Sequence, residues 1–384
     1  QAQIQQTRRD FLATSASGLG GAALASLMVE DGLLAKELSN PLAPRKPHFE
    51  PSAKACINIF MAGAPSHLDL FDPKPELNKR NGQSLPKEIL DKARFAFIKP
   101  DTAKLMGSQR TFKAHGQSGM EFSDFLPHLG SVADDLLMVR SMHSDEFNHH
   151  PGQLLMQCGV SRFGMPTAGS WINYGLGSES QNLPGYVVLT AGRGSSGGTT
   201  LWQSGFLPST YAGVLFRNSG EPVLNLSNPK GLPPELQRAG LNTLNAINQS
   251  RLKTIHDPEI ASRIASYELA SRMQTAAPEL IDLSKEKAST LKAYGVDRPD
   301  PGGGGRGKFG ATHQDFARNC LLARRMVERG VRYINIVYAS WDHHSKLDGE
   351  LKYNSSVVDQ PIAALIRDLK ERGLLDSTLV QWSS

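Results

Sequence analysis

Short apolar runs alternate with glycine-terminated helical segments along this chain, and that alternation constrains the fold more than any other feature. Runs of four to seven apolar residues bounded by turn residues are typical of buried strands. The helical segments Gln314–Arg329 and Val357–Arg372 each end at a glycine and precede such a run by a few residues. Units of this kind predict parallel strands joined by crossover helices, and therefore an α/β fold. The predicted strands are Ala55–Met61, Leu136–Arg140, Tyr186–Leu189, Tyr333–Tyr338 and Thr378–Trp382.

The chain divides into three predicted parts. Residues 1–30 are predicted to be an export signal, residues 31–53 a proline-containing linker, and residues 54–384 an α/β domain. Within that domain, residues 234–293 have helical periodicity, whereas residues 190–235 are rich in Gly, Ser, Pro and Asn, which predicts irregular surface structure. Because the chain stops on an apolar strand with no loop after it, we expect the domain to be incomplete at its C-terminus.

The N-terminal segment has the layout of a twin-arginine secretion signal. Arg8 and Arg9 stand before Phe11, Leu12 and a run of small apolar residues. Such a signal implies passage through the twin-arginine translocon, so we expect a periplasmic or secreted protein. The run is poorer in strongly apolar residues than a span of roughly 20 residues requires. No stable membrane span is therefore expected after signal cleavage, and an uncleaved anchor is the alternative.

Charge and cysteine content exclude two classes of protein. The formal net charge is +5 over 384 residues and no Lys/Arg block dominates any region, so nucleic acid is not an expected partner. The three cysteines, Cys56, Cys158 and Cys320, are too few and too far apart for a disulfide scaffold. Cys56 lies in a predicted strand and Cys320 in a predicted helix, so buried structural thiols are expected. One disulfide pair in an oxidising compartment is the alternative.

Polar residues collect directly after three of the predicted strands, where open α/β sheets place their sites. After the first strand, Ser66 is a candidate nucleophile, and Asp69 and Asp72 are candidate cation ligands. The structural alternative there is an Asx-type turn at Asp72. After the second strand, residues 143–150 contain three histidines and two carboxylates. Imidazole and carboxylate are the ligands that zinc-type metals select, so this density predicts a metal or oxyanion site.

The third cluster is Trp341-Asp342-His343-His344, directly after the strand Tyr333–Tyr338. Asp342 and His344 are two positions apart, so in an extended segment both side chains project to the same side and can share one ion. An exposed polar loop is the alternative interpretation. Because the second cluster offers further ligands, we favour a functional site.

These motifs together resemble one bacterial family. The twin-arginine start, Gly63–Pro75, Asn148–Pro151 and Trp341–His344 are similar to the domain-of-unknown-function family 1501, and the resemblance covers essentially the whole chain. That family is considered a relative of the sulfatase and alkaline phosphatase superfamily. Residues 362–384 resemble the sulfatase helix, Gly-Leu turn and Thr-Leu-Val strand that lead into an Asp-His-Gly metal motif, which implies that some ligands lie beyond the last residue.

The resemblance implies an α/β/α sandwich of the alkaline phosphatase type and metal-assisted hydrolysis of a phosphate or sulfate ester. One or two divalent ions, zinc, calcium or manganese, would polarise the ester and activate Ser66 or a water. A small-molecule or polysaccharide ester is the expected substrate. His67 and His143 are expected to stabilise the oxyanion or protonate the leaving group. The expected metal ligands are Asp69, His149, His150, Asp342 and His344.

Two departures from the sulfatase pattern leave an alternative open. Sulfatases place an Asp-Asp pair after the first strand, where this chain has Met61-Ala62-Gly63. The sulfatase Cys-x-Pro-x-Arg motif also fails at Cys158, because Val160 replaces the proline. A formylglycine sulfatase is therefore disfavoured, and the alternative is an exported binding or cell-surface protein that kept the fold without the site. An enzyme requires Asp342 and His344 to converge with Asp69 or His149.

Overall fold

The computed structural model describes residues 40–92, 99–218, 220–255, 257–303, 305 and 308–384. The predicted export signal lies outside these residues, as does the first part of the predicted linker. Residues 40–53 contain no helix or strand. Among the described residues, no helix is both long enough and apolar enough to cross a membrane.

A five-stranded sheet forms the centre of the domain. The described residues contain seven strands, five of which belong to this sheet: β1 (Ala55–Met61), β2 (Phe112–His115), β3 (Met120–Ser123), β4 (Tyr186–Ala191), β5 (Val214–Phe216), β6 (Tyr333–Tyr338) and β7 (Thr378–Ser383). The sheet has the order β5-β4-β6-β1-β7, and every neighbouring pair in it is parallel. β2 and β3 form a separate antiparallel pair. The predicted α/β class with parallel strands is confirmed.

Eleven helices are found in the described residues. They are α1 (His67–Leu70), α2 (Pro75–Lys79), α3 (Lys87–Leu90), α4 (Pro127–Gly130), α5 (His149–Cys158), α6 (Ala168–Leu176), α7 (Pro234–Ile255), α8 (Pro258–Ile281), α9 (Ala288–Tyr294), α10 (Thr312–Val327) and α11 (Leu347–Glu371). Gly330 and Gly373, predicted to follow helix ends, both adopt positive φ there.

Alternate residues of the central strands pack on opposite faces of the sheet, as the two-residue period of a strand requires. Ile57, Ile59 and Met61 of β1 belong to a large core that also contains the apolar side of α10 and α11. Phe60 belongs to a smaller core on the other face, together with Leu154 of α5. Helices thus cover both faces, which explains why the strands are continuous apolar runs rather than alternating ones.

Three details of the predicted elements differ from the structure. The predicted strand Leu136–Arg140 is wrong: Leu136 packs against the large core and Leu137 is exposed, but no described neighbour pairs with the segment. A short continuous apolar run is therefore not sufficient to form a strand without an adjacent strand to pair with. The helical stretch 234–293 is divided among three helices, and the second of them begins at Pro258 with Asp257 as its N-cap. Residues 190–235 are largely irregular, but they include the short edge strand β5.

Candidate metal centre

Three of the five predicted metal ligands converge at the carboxyl edge of the sheet. His344 Nε2 lies 2.7 Å from Asp342 Oδ2, and His149 Nε2 lies 3.1 Å from the same oxygen. The three ligand atoms lie within 4.8 Å of one another, and the three side chains are partly or largely exposed. Small side-chain rotations can therefore place two imidazole nitrogens and one carboxylate oxygen around a single ion, with room left for a ligand from solvent.

The loops that follow β1 and β6 touch directly, because these strands are neighbours. Trp341 N donates to the carbonyl of Ala62 at 3.3 Å. Gly63 has φ +109°, and a Cβ built on it would lie 2.5 Å from the backbone nitrogen of Asp342. Only glycine combines this backbone conformation with this approach. The close contact places the Ser66 loop beside the Asp342 loop.

A row of buried amides holds the helix that carries His149 against these strands. Asn58 Nδ2 donates to Asn335 Oδ1 across β1 and β6 at 3.1 Å, and Asn335 Nδ2 donates to Gln157 Oε1 of α5 at 3.2 Å. One turn earlier in α5, Gln153 Oε1 accepts a hydrogen bond from Gly197 N in the loop after β4. A buried amide group without a partner costs free energy, so the two hydrogen bonds of this row hold α5 against the sheet.

Asp69 does not join the three converging ligands; its carboxylate binds two hydroxyl groups instead. Ser66 Oγ donates to Asp69 Oδ2 at 2.6 Å, and Ser108 Oγ donates to Asp69 Oδ1 at 2.6 Å. All three side chains are accessible only in part. This arrangement orients the Ser66 hydroxyl and gives it a proton acceptor. Ser108 had no sequence signal, because it lies 39 positions from Asp69 in an unremarkable loop.

The remaining predicted site residues lie outside the converging group. His150 follows His149 in α5, and its ring packs edge-to-face on Phe163 with centroids 5.0 Å apart. His67 and His143 are exposed. The carboxylate of Asp72 pairs with Lys74 at 2.8 Å. Their predicted roles stay predictions.

The thiols are not poised as nucleophiles. Burial raises the pKa of Cys158, and it raises the pKa of Cys56 to about 11. A nucleophilic cysteine requires the opposite shift, because the thiolate is the reactive form. All three cysteines are free; Cys320 is buried, as expected, whereas Cys56 and Cys158 are half-buried.

Replacing Gly63 with alanine is expected to displace the Asp342 backbone and weaken metal binding. The new Cβ meets backbone atoms that have no flexible side chain to move, so we expect a loss of roughly tenfold or more in zinc affinity. Gly82→Ala is the matched control, since Gly82 also has positive φ but has nothing within 4 Å. Zinc titration of both variants distinguishes the effect of a steric clash with the Asp342 backbone from the effect of positive φ alone. Equal losses in the two would show that the close approach does not matter.

Comparisons with known proteins give one match. A family model described as "Protein of unknown function (DUF1501)" matches residues 53–384. No curated protein and no solved structure matches the chain significantly. The match begins two residues before β1 and extends through β7, so it includes both loops that meet at the converging ligands.

Proposed function

The chain belongs to the DUF1501 family of proteins of unknown function, and from that starting point we propose that it is an exported, metal-dependent hydrolase of phosphate or sulfate esters. The observation that carries the proposal is the convergence of His149, Asp342 and His344 from two separate elements. This convergence supports an enzyme over the alternative binding protein, which does not require it.

The donor set favours zinc among the three candidate metals. Two imidazoles and one carboxylate, with an open position, form the ligand set of many catalytic zinc sites. Calcium takes six to eight oxygen ligands, so two histidines among three ligands disfavour it. Manganese prefers carboxylate and water more than imidazole. The bound ion would polarise the ester oxygens and stabilise the charge that develops on them.

The protein's own side chains supply the rest of the reaction. The Ser66 oxygen attacks phosphorus or sulfur while its proton passes to Asp69, which Ser108 holds in place. The bond to the ester oxygen breaks, and the departing alcohol takes a proton from His67 or His143. Water then cleaves the seryl ester and regenerates the Ser66 hydroxyl.

The export part of the proposal rests on the sequence. Arg8 and Arg9, followed by Phe11 and Leu12, direct the folded protein to the twin-arginine translocon. A periplasmic or secreted location suits substrates that cells do not import intact, such as esters on polysaccharides, and small esters are equally compatible. Kinship with the sulfatase and alkaline phosphatase superfamily is part of this proposal; the parallel sheet covered on both faces is compatible with it.

The alternative function is that of an exported binding protein without catalysis. Met61-Ala62-Gly63 in place of an acidic pair favours it, because one common source of ligands is absent. The separation of Asp69 from the three converging ligands favours it as well. Metal content and ester hydrolysis, measured on the same preparation, distinguish the two functions.

We expect the protein, exported and purified without chelator, to contain about one equivalent of zinc and to hydrolyse 4-nitrophenyl phosphate or 4-nitrophenyl sulfate. His344→Ala removes one of three ligands and is expected to lose both the metal and the activity. His48→Ala, which removes an exposed histidine outside the site, is the control and should retain both. Wild-type protein without metal would refute the proposal. Bound metal with no hydrolysis of any ester tested would favour the binding protein.

A further inference from the structure

The segment that joins β6 to the ligand pair has an unfavourable backbone conformation. Ser340 has φ +90°, which is uncommon for any residue except glycine. Such conformations persist only where the surrounding structure imposes them, and they cluster at functional sites. Two residues later the chain reaches Asp342, so whatever holds Ser340 also sets the direction of the ligands.

A single buried side chain holds this segment. Asn354, in α11, is fully buried, and its Nδ2 donates to the carbonyl of Ser340 at 2.8 Å and to His343 Nε2 at 3.0 Å. Its Oδ1 accepts a hydrogen bond from the Tyr338 hydroxyl at 2.7 Å. One amide thus contacts the last residue of β6, the carbonyl of Ser340 and the residue between the two ligands.

The bond to His343 explains which histidine of the pair faces the metal centre. Because His343 Nε2 accepts from Asn354, its ring proton is on Nδ1 and its Nε2 is not available to a metal. His343 is thus bound to α11, whereas its neighbours Asp342 and His344 pair with each other and Asp342 also pairs with His149.

We infer that Asn354 is a positioning residue for the metal centre: it holds residues 339–344 in the conformation that aligns Asp342 and His344. This inference rests on the proposed metal centre, and it assigns the residue that preorganises it. Asn354 touches none of the three ligand side chains through its own hydrogen bonds, so it acts through the loop. Groups that hydrogen-bond directly to metal ligands commonly contribute roughly 10- to 100-fold to metal affinity, and Asn354 lies one residue further from the ion, so we expect a contribution at the lower end of that range.

The test compares zinc affinity in two buried-asparagine variants. Asn354→Leu keeps the branching of the heavy atoms and removes all three hydrogen bonds, and we expect zinc to bind roughly tenfold more weakly. Asn319→Leu is the matched control: Asn319 is also fully buried and donates to a carbonyl, that of Thr190 near the end of β4, but it does not contact the ligand loop. Zinc affinity in that variant should match wild type even if its thermal stability falls.

Hydrogen exchange of residues 339–344 in the metal-free proteins gives a second readout. We expect faster exchange in Asn354→Leu and no change in Asn319→Leu. Should Asn354→Leu fail to fold, Tyr338→Phe removes only one of the three contacts and should still weaken zinc binding several-fold. If these variants kept the zinc affinity and the exchange rates of the wild type, the role of Asn354 would be refuted, but the metal centre would not. Wild-type protein that binds no zinc would overturn the metal centre itself, and the inference with it.

Discussion

Replacing Ser66 with alanine is expected to lower kcat for ester hydrolysis by at least about 10³-fold while leaving the zinc content unchanged. The reason is the geometry around Asp69. Its Oδ2 accepts the Ser66 hydroxyl at 2.6 Å, a distance suited to proton transfer, and its Oδ1 is held by Ser108 at 2.6 Å. A nucleophile, a base and a group that orients the base form the usual unit of nucleophilic catalysis.

Ser108→Ala is the matched comparison for this prediction. It removes a hydroxyl of the same kind from the same carboxylate but leaves the nucleophile in place. We expect a loss of roughly tenfold, because Asp69 then becomes free to rotate. Steady-state kinetics and metal analysis on both variants distinguish a reacting hydroxyl from an orienting one. Wild-type kcat in Ser66→Ala would show that water, rather than Ser66, attacks the ester.

The fold was predictable where burial leaves a strong pattern. β1, β4, β6 and β7 were all identified, since strands covered on both faces must be apolar along their length. β5 was missed, because three residues at the edge of the sheet carry too little pattern. Leu136–Arg140 gave the opposite error: its composition suits a strand, but pairing depends on a neighbour that the local sequence does not specify.

The residues of the candidate metal centre were predictable only in part, for a similar reason. Asp342 and His344 share a side because they are two residues apart, a local relationship that sequence spacing reveals. His149 was found by the density of histidines around it. Asn354 and Ser108 could not be predicted, because a single asparagine or serine does not form a sequence motif. Their partners, Ser340 and Asp69, lie 14 and 39 positions away and are brought close only by the fold.

Loss of the Arg324 side chain is expected to destabilise the protein more than any other single change at an ion pair. Arg324 is almost completely buried in α10, and its guanidinium pairs with Glu286, Glu328 and Asp368 at 2.8–2.9 Å. These carboxylates come from the segment before α9, the end of α10 and α11, so the cluster joins the elements on one face of the sheet. Tyr294 adds a hydrogen bond to Asp368 at 2.9 Å.

Arg324→Ala leaves these carboxylates partly buried without their central cation, and we expect a loss of about 3–5 kcal/mol in the free energy of unfolding. Arg372→Ala is the control: Arg372 binds the same Asp368 and Glu328, but its side chain is 37% exposed, so about 1 kcal/mol or less is expected. Urea unfolding measures both. Zinc affinity below the unfolding transition should be unchanged in each, because the cluster makes no contact with the ligands. If Arg324→Ala lost as little stability as Arg372→Ala, Arg372 or water would have to replace Arg324 as the partner of these carboxylates.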